Sequence, residues 1–290
     1  MRLALMWTLQ AQFAGYVVAR ARELPELELV PRAEGRSPVD DVLAGRVEFG
    51  TVSPAHLLVA GDDAHEVALV ALFMARSPVR MAGLRERVGD TLGPSPGLRI
   101  GVWGGEDVEL RAMLALAGVD LAEVEFVPVF GDEAQALLEG EVDYVQSTTY
   151  NELPAIVAAA GDPDRVVAHD PALWKVDVAK DGIAVRRDRL AADPDGVDRF
   201  VRGAILGWRR VLEDPAAAVA EVCRAVPSLD PGAQAAQIGR LVELFDPQHE
   251  LGRPRPEDIE RARHAARAAG DPRSEVPLYC DAGPWERACA

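Results

Sequence analysis

Aromatic and amide side chains gather where the first strand of this chain gives way to a helix. In Leu5-Met-Trp-Thr-Leu-Gln-Ala-Gln-Phe-Ala-Gly-Tyr-Val-Val-Ala19 a short apolar run leads into Trp7, Gln10, Gln12 and Tyr16. That order places them at the carboxyl end of a strand, where open α/β sheets bind ligands. The indole offers a stacking face and the amides offer hydrogen bonds, a combination suited to a flat, polar-edged small molecule. Phe13, Ala14, Val17 and Val18 recur at helical spacing and read as core. Tyr16 lies on the same helix and reads either as a packing residue or as a ligand contact.

A second polar constellation is Gln146-Ser-Thr-Thr-Tyr-Asn-Glu152, where hydroxyls, amides and a carboxylate end a strand. Gln146, Tyr150, Asn151 and Glu152 are its candidate ligand contacts, with a helix-start carboxylate stabilised by the dipole as the alternative for Glu152. Trp103, Gly104, Gly105 and Glu106 form a strand-to-helix turn. Its glycines would let backbone approach a ligand and its helix N–H groups could bind an anion, or it is an ordinary turn. The turn is neither a P-loop nor a dinucleotide fingerprint. Thr51, Ser53 and His56 follow another strand; Ser53 also reads as a helix N-cap, and His56 as a structural histidine. Arg76 could clamp an anion from the end of an apolar strand or lie on the surface. Trp174 and Asp177 either close a ligand cleft or pack structurally.

The elements that position these residues alternate. Strands are expected at 3–7, 27–32, 47–51 and 67–75, with helices at 13–24, 38–44 and 54–60 between them. That succession predicts a mostly parallel sheet covered on both sides. Gly83 to Gly97, ending in Gly93-Pro-Ser-Pro-Gly97, reads as a linker. A second, smaller α/β unit follows, with strands at 98–102, 124–129 and 143–147 and helices at 108–116, 133–138 and 152–160. Gly182-Ile-Ala-Val-Arg186 then returns to the first unit. The expected organisation is one lobe from 1–93 and 182–290, a second from 94–181, two crossings, and a cleft between the lobes.

Composition excludes several classes. The 290 residues carry a formal charge of −16, which opposes nucleic acid and anionic membrane surfaces. The arginines at Arg209-Arg210 and from Arg253 to Arg267 read as solvated helix faces. No run is long enough to span a bilayer, and direct membrane insertion is not expected. Met1 abuts the first strand with no leader pattern, so the chain as written is expected in the cytoplasm, or outside it if a leader was removed. Three cysteines suit no disulfide framework. Cys223 reads as a core thiol, while Cys280 and Cys289 either pair in an oxidising compartment or stay free. No Cys/His grouping has metal-ligand spacing, and neither metal nor cofactor is expected.

The opening segment, Val47-Glu-Phe-Gly50, Gly101-Val-Trp-Gly-Gly-Glu-Asp-Val-Glu-Leu110, Gly140-Glu-Val-Asp143, Thr149-Tyr-Asn-Glu-Leu153, Arg199-Phe-Val-Arg202 with Gly207-Trp208, and Asp214-Pro-Ala-Ala-Ala218 occur in that order. Together they resemble the solute-binding proteins for sulfonates, nitrate and thiamine-pyrimidine precursors, which share a fold with thiamine-pyrimidine synthases. The resemblance implies an α/β, two-lobed type II periplasmic-binding-protein-like fold with an interlobe cleft. It further implies a pyrimidine-like, heteroaromatic or small anionic ligand, an ABC permease as partner, and Glu152 as acceptor for a ligand amine. The rival it leaves open is a biosynthetic enzyme on the same fold. In the synthases a histidine matching His56 is consumed and a lysine four residues earlier holds pyridoxal phosphate. That lysine position is Val52 here, so the chemistry does not carry over.

Overall fold

The structure, a computed structural model, describes residues 1–33, 35–104, 107–246 and 250–290. Among these residues the strands are β1 (Arg2–Ala4), β2 (Glu28–Val30), β3 (Phe49–Val52), β4 (Val67–Met74), β5 (Val79–Leu84), β6 (Arg99–Val102), β7 (Glu125–Pro128), β8 (Tyr144–Thr148), β9 (Val166–His169), β10 (Lys180–Arg186) and β11 (Tyr279–Cys280). The chain divides into two units. Unit one is Met1–Arg76, Ala179–Ile259 and Val276–Ala290; unit two is Ser77–Val178 and Glu260–Glu275.

Unit one is built on a six-stranded sheet in the order β11-β4-β10-β3-β1-β2. Its neighbours run parallel except at β10, which is antiparallel to both β3 and β4. The unbroken apolar run of β4 is buried along its whole length, as an interior strand covered on both faces requires. Five helices begin at the same local signal: Ser37-Pro38, Ser53-Pro54, Asp193-Pro194, Asp214-Pro215 and Asp230-Pro231. In each, the first side chain accepts a backbone N–H from the opening turn and the proline fills the position whose own N–H would be unpaired.

The helix Ala14–Arg22 packs on the long helix Pro194–Glu213 at a glycine contact. A Cβ on Gly207 would stand 2.0 Å from the Gly15 carbonyl oxygen, so only glycine permits this approach. The close approach seats the Trp208 ring among aromatic neighbours: Tyr16 edge-on at 5.9 Å, Phe73 at 6.0 Å and Phe245 at 5.0 Å between centroids. Phe49 stacks on Phe200 at 3.8 Å. Phe13 is fully buried, as its helical spacing predicts.

Unit two has a five-stranded sheet, β7-β6-β8-β5-β9. Here β6 runs parallel to β7 and β8, while β5 runs antiparallel to β8 and β9. Each sheet therefore carries one strand reversed against the rest. Leu137, Val142, Val145 and Ile156 centre its apolar core. The segment expected as a linker from Gly83 begins inside β5 and continues as a helical turn, Arg85–Val88; regular structure is missing from 93 to 97. The helix Pro256–Ala268 starts in unit one and ends in unit two, where Arg261 pairs with Asp177.

Among the described residues no helix is long and apolar enough to cross a membrane. Cys223, Cys280 and Cys289 are free thiols, so the optional Cys280–Cys289 pairing is not made.

Candidate functional site

In unit two the carboxyl ends of β6 and β8 lie side by side, because Ile100 and Gly101 pair with Tyr144 and Val145. Trp103 follows β6. Its backbone N–H donates to Oε1 of Gln146 on β8 at 3.2 Å. Its indole Nε1–H donates to Oε1 of Glu133 at 2.8 Å, and the same oxygen accepts the Gly131 N–H at 3.0 Å. Glu133 is nearly buried, so this bond fixes the plane of a half-buried indole.

Glu152 opens the helix Glu152–Ala160 beside that indole's strand end. Its Oε2 accepts from the Thr148 backbone N–H at 2.9 Å and the Thr148 hydroxyl at 2.6 Å. Its Oε1 accepts from Asn151 Nδ2 at 2.6 Å. Burial pushes the carboxyl above the usual glutamate range, while the bonds from Thr148 and Asn151 pull it back. The result is a carboxylate held in one orientation with acceptor capacity remaining on Oε1. Tyr150 is nearly buried, and the Thr149 N–H anchors the turn to Pro78 O at 2.9 Å.

Gly104 is exposed at φ +74, and a Cβ there would meet nothing within 4 Å. Glycine is needed at this position for its left-handed backbone and not for space. Gly105, Glu106 and His249 lie outside the described residues. Trp174 is half-buried at the end of the turn Pro171–Trp174.

Unit one treats its candidates differently. Thr51 is wholly buried; its hydroxyl accepts the Met6 N–H at 2.8 Å and donates to Ala4 O at 3.4 Å, tying the loop after β1 to β3. Ser53 is likewise buried and caps the helix Pro54–Val59. His56 N–H donates to Ser53 Oγ at 3.3 Å, and the Ser53 N–H donates to His56 Nδ1 at 2.9 Å. His56 thus takes the reciprocal place of a capping box. Tyr16 is fully buried and donates to Asp181 Oδ1 at 3.0 Å. Tyr16, Thr51 and Ser53 have no exposed surface, and their polar atoms are engaged inside unit one. Arg76 is exposed, and its backbone N–H donates to Leu244 O at 3.2 Å.

The loop Trp7–Gln12 is braced by two residues that carry no local sequence signal. Gln234 Oε1 accepts the Ala11 N–H at 2.7 Å, and Gln237 Oε1 accepts the Gln12 N–H at 3.2 Å. Gln237 Nε2 also donates to Gln10 Oε1 at 3.2 Å. Trp7 and Gln10 remain half-buried on this loop and Gln12 nearly buried.

Beside Tyr16, Asp181 sits at φ +55 with Oδ2 unpaired, and burial pushes its carboxyl up to about 8 against the lowering effect of Tyr16 and Trp208. Val52, where the pyrimidine synthases would carry their Schiff-base lysine, is a buried residue of β3 opposite Gly182. It offers no amine to an aldehyde cofactor, so pyridoxal phosphate does not fit there. Among the described residues no group of His, Cys, Asp and Glu could hold a metal ion.

The riboflavin-binding protein RibY of Chloroflexus aurantiacus is 25% identical over 228 residues, which cover 73% of this chain and 62% of that protein. A ligand-binding component of an ABC-type import system from Staphylococcus aureus, solved with zinc bound, superposes with a TM-score of 0.74 at 10% identity, covering 99% of this chain and 98% of that one. The periplasmic aliphatic sulphonate binding protein SsuA from Escherichia coli gives 0.69 at 14% identity, covering 97% and 95%. At such identities the likeness shows the fold, which is that of the periplasmic binding proteins, as the ordered motifs imply. Residues 10–218 match the NMT1/THI5-like family model. The chain belongs to the NMT1/THI5-like family.

Proposed function

We propose that this protein reversibly binds a small organic solute, a planar heteroaromatic molecule with polar edges, as the substrate-binding component of an ABC importer. The observation that carries the reading is the Glu152 cluster. An oriented carboxylate, with Thr148 and Asn151 holding it from behind, stands at the strand ends that also present the fixed Trp103 indole. A stacking face beside a hydrogen-bond acceptor recognises a flat ring bearing N–H groups. The relative named for riboflavin takes a ligand of this shape, and an importer permease is the partner such a role requires.

Binding without bond-making fits the residues. Glu152 is held as an acceptor, and the lysine that would begin pyridoxal chemistry is replaced by Val52. The test is native mass spectrometry of freshly purified protein, followed by riboflavin titration read by tryptophan fluorescence. The expected result is an intact retained or added solute, a saturable signal change, and loss of much of that change in Trp103→Phe. Chemical conversion of the solute, or a Trp103→Phe titration identical to wild type, would overturn the reading.

A further inference from the structure

Unit two holds a cavity at the opposite end of β6 and β8 from Trp103 and Glu152. Arg99 opens β6, Asp143 and Tyr144 open β8, and Arg87 comes from the helical turn after β5; together they line a cavity of about 510 Å³. That volume falls within the range of small-molecule sites, roughly 300–1,000 Å³. Pro94 and Pro96 set the outer wall. Their fixed backbone torsions keep that wall shaped at little entropic cost.

Tyr144 brings a phenol to the cavity wall. Its side chain is only 2% exposed, and it lines the cavity together with Arg99 and Asp143. Burial pushes its pKa up to about 12, so the hydroxyl stays a donor at any physiological pH.

The charges favour an anion. Arg87 donates to Leu137 O at 2.6 Å and Leu138 O at 2.9 Å, closing the end of the helix Glu133–Glu139. Arg99 donates to Gly140 O at 2.9 Å and pairs with Asp143 Oδ1 at 3.5 Å, while Asp143 Oδ2 is taken by the Arg99 backbone N–H at 2.8 Å. Two guanidiniums thus face one already engaged carboxylate, and each guanidinium keeps N–H donors beyond those bonds. Such a positive pocket stands out in a chain of net charge −16.

We propose that unit two carries a second ligand site, at the amino ends of β6 and β8, that takes a small hydrophilic oxyanion such as a hydroxylated carboxylate or a phosphate ester. Arg87 and Arg99 supply charge and fork-shaped donors, and Tyr144 donates to an oxygen of the bound anion. The site is separate from the Glu152 cluster and does not depend on the function assigned to it.

The test uses the whole chain with citrate and glucose 6-phosphate as probes, at ionic strength matched with sodium chloride. Backbone amide NMR titration should show saturable shifts confined to residues 87–99 and 140–145. Tyr144→Phe should weaken probe binding about five- to tenfold and Arg99→Gln at least tenfold. Ser95→Trp, placed on the exposed loop to fill the cavity without touching the core, should abolish it. Glu152→Gln should leave it unchanged. Shifts that are linear, scattered or matched by chloride, or full affinity in both Tyr144→Phe and Ser95→Trp, would overturn the proposal.

Discussion

The two units place polar residues at equivalent points, the carboxyl ends of their parallel strands, and use them in opposite ways. In unit one Thr51, Ser53, His56 and Tyr16 are bonded inward: to the loop after β1, to a helix start, and to a buried carboxyl. In unit two Gln146, Thr148 and Asn151 are bonded to one another's neighbours in a way that presents Trp103 and Glu152 half-buried at the strand ends. Residue type does not separate scaffold from site. What separates these two sets is exposure: Thr51, Ser53, His56 and Tyr16 are buried, whereas Trp103 and Glu152 keep exposed surface.

The strongest test of the scaffold half is Trp208→Ala. The indole fills the space between Tyr16, Phe73 and Phe245, and its removal should destabilise by about 3–5 kcal/mol, the range for a buried aromatic truncated to alanine. Urea unfolding should show the loss, while solute affinity measured well below the transition stays at wild-type level. A large fall in affinity with stability intact would erase the division between the units.

Asp181 gives a pH-dependent test of the same core. Its carboxyl, pushed up by burial to about 8, stays protonated in the folded chain while the unfolded chain ionises near 3.8. Between those values the unfolded state binds fewer protons, so stability falls as pH rises, by about 1.4 kcal/mol per pH unit, and the slope ends above pH 8. Asp181→Asn keeps a side chain tolerant of the left-handed backbone and removes the titration. Unfolding free energies of the two proteins should therefore diverge steadily from pH 5 to pH 8, with the wild type losing ground. Parallel curves would show that the carboxyl is charged in the fold.

The sequence made some of this contrast legible. The helices Val108–Leu116 and Glu152–Ala160 appear where their periodicity places them, and the apolar run from Val67 becomes the buried β4. Ser53-Pro54 declared its cap. Strand β5 did not declare itself: Val79-Arg-Met-Ala-Gly-Leu84 follows Ser77-Pro78 and ends where glycines begin, so it merges with a loop signal. Strand β9 is four residues between turns. The braces Gln234 and Gln237 lie more than 220 residues from the loop they hold, and nothing local marks them. Glu133 reads as an ordinary helix-start acid, since its bond to Trp103 joins residues from different strands' ends. Asp181, in Lys-Asp-Gly, has the look of a turn until the fold buries it.

A smaller effect sharpens the reading of His56. Ser53→Ala removes a side-chain cap and half of a reciprocal pair, and should cost about 1 kcal/mol of stability without altering solute affinity. If affinity falls instead, the Ser53–His56 pair belongs to the site and not to the scaffold.

The central claim, that Glu152 is a solute acceptor, is tested most directly by isothermal titration of wild type and Glu152→Gln with the solute that co-purifies. Losing the charged acceptor should weaken binding by about 1.5–3 kcal/mol, a factor of about 10 to 150, with the solute recovered unchanged from both proteins. Unchanged affinity in a folded Glu152→Gln protein would contradict the account.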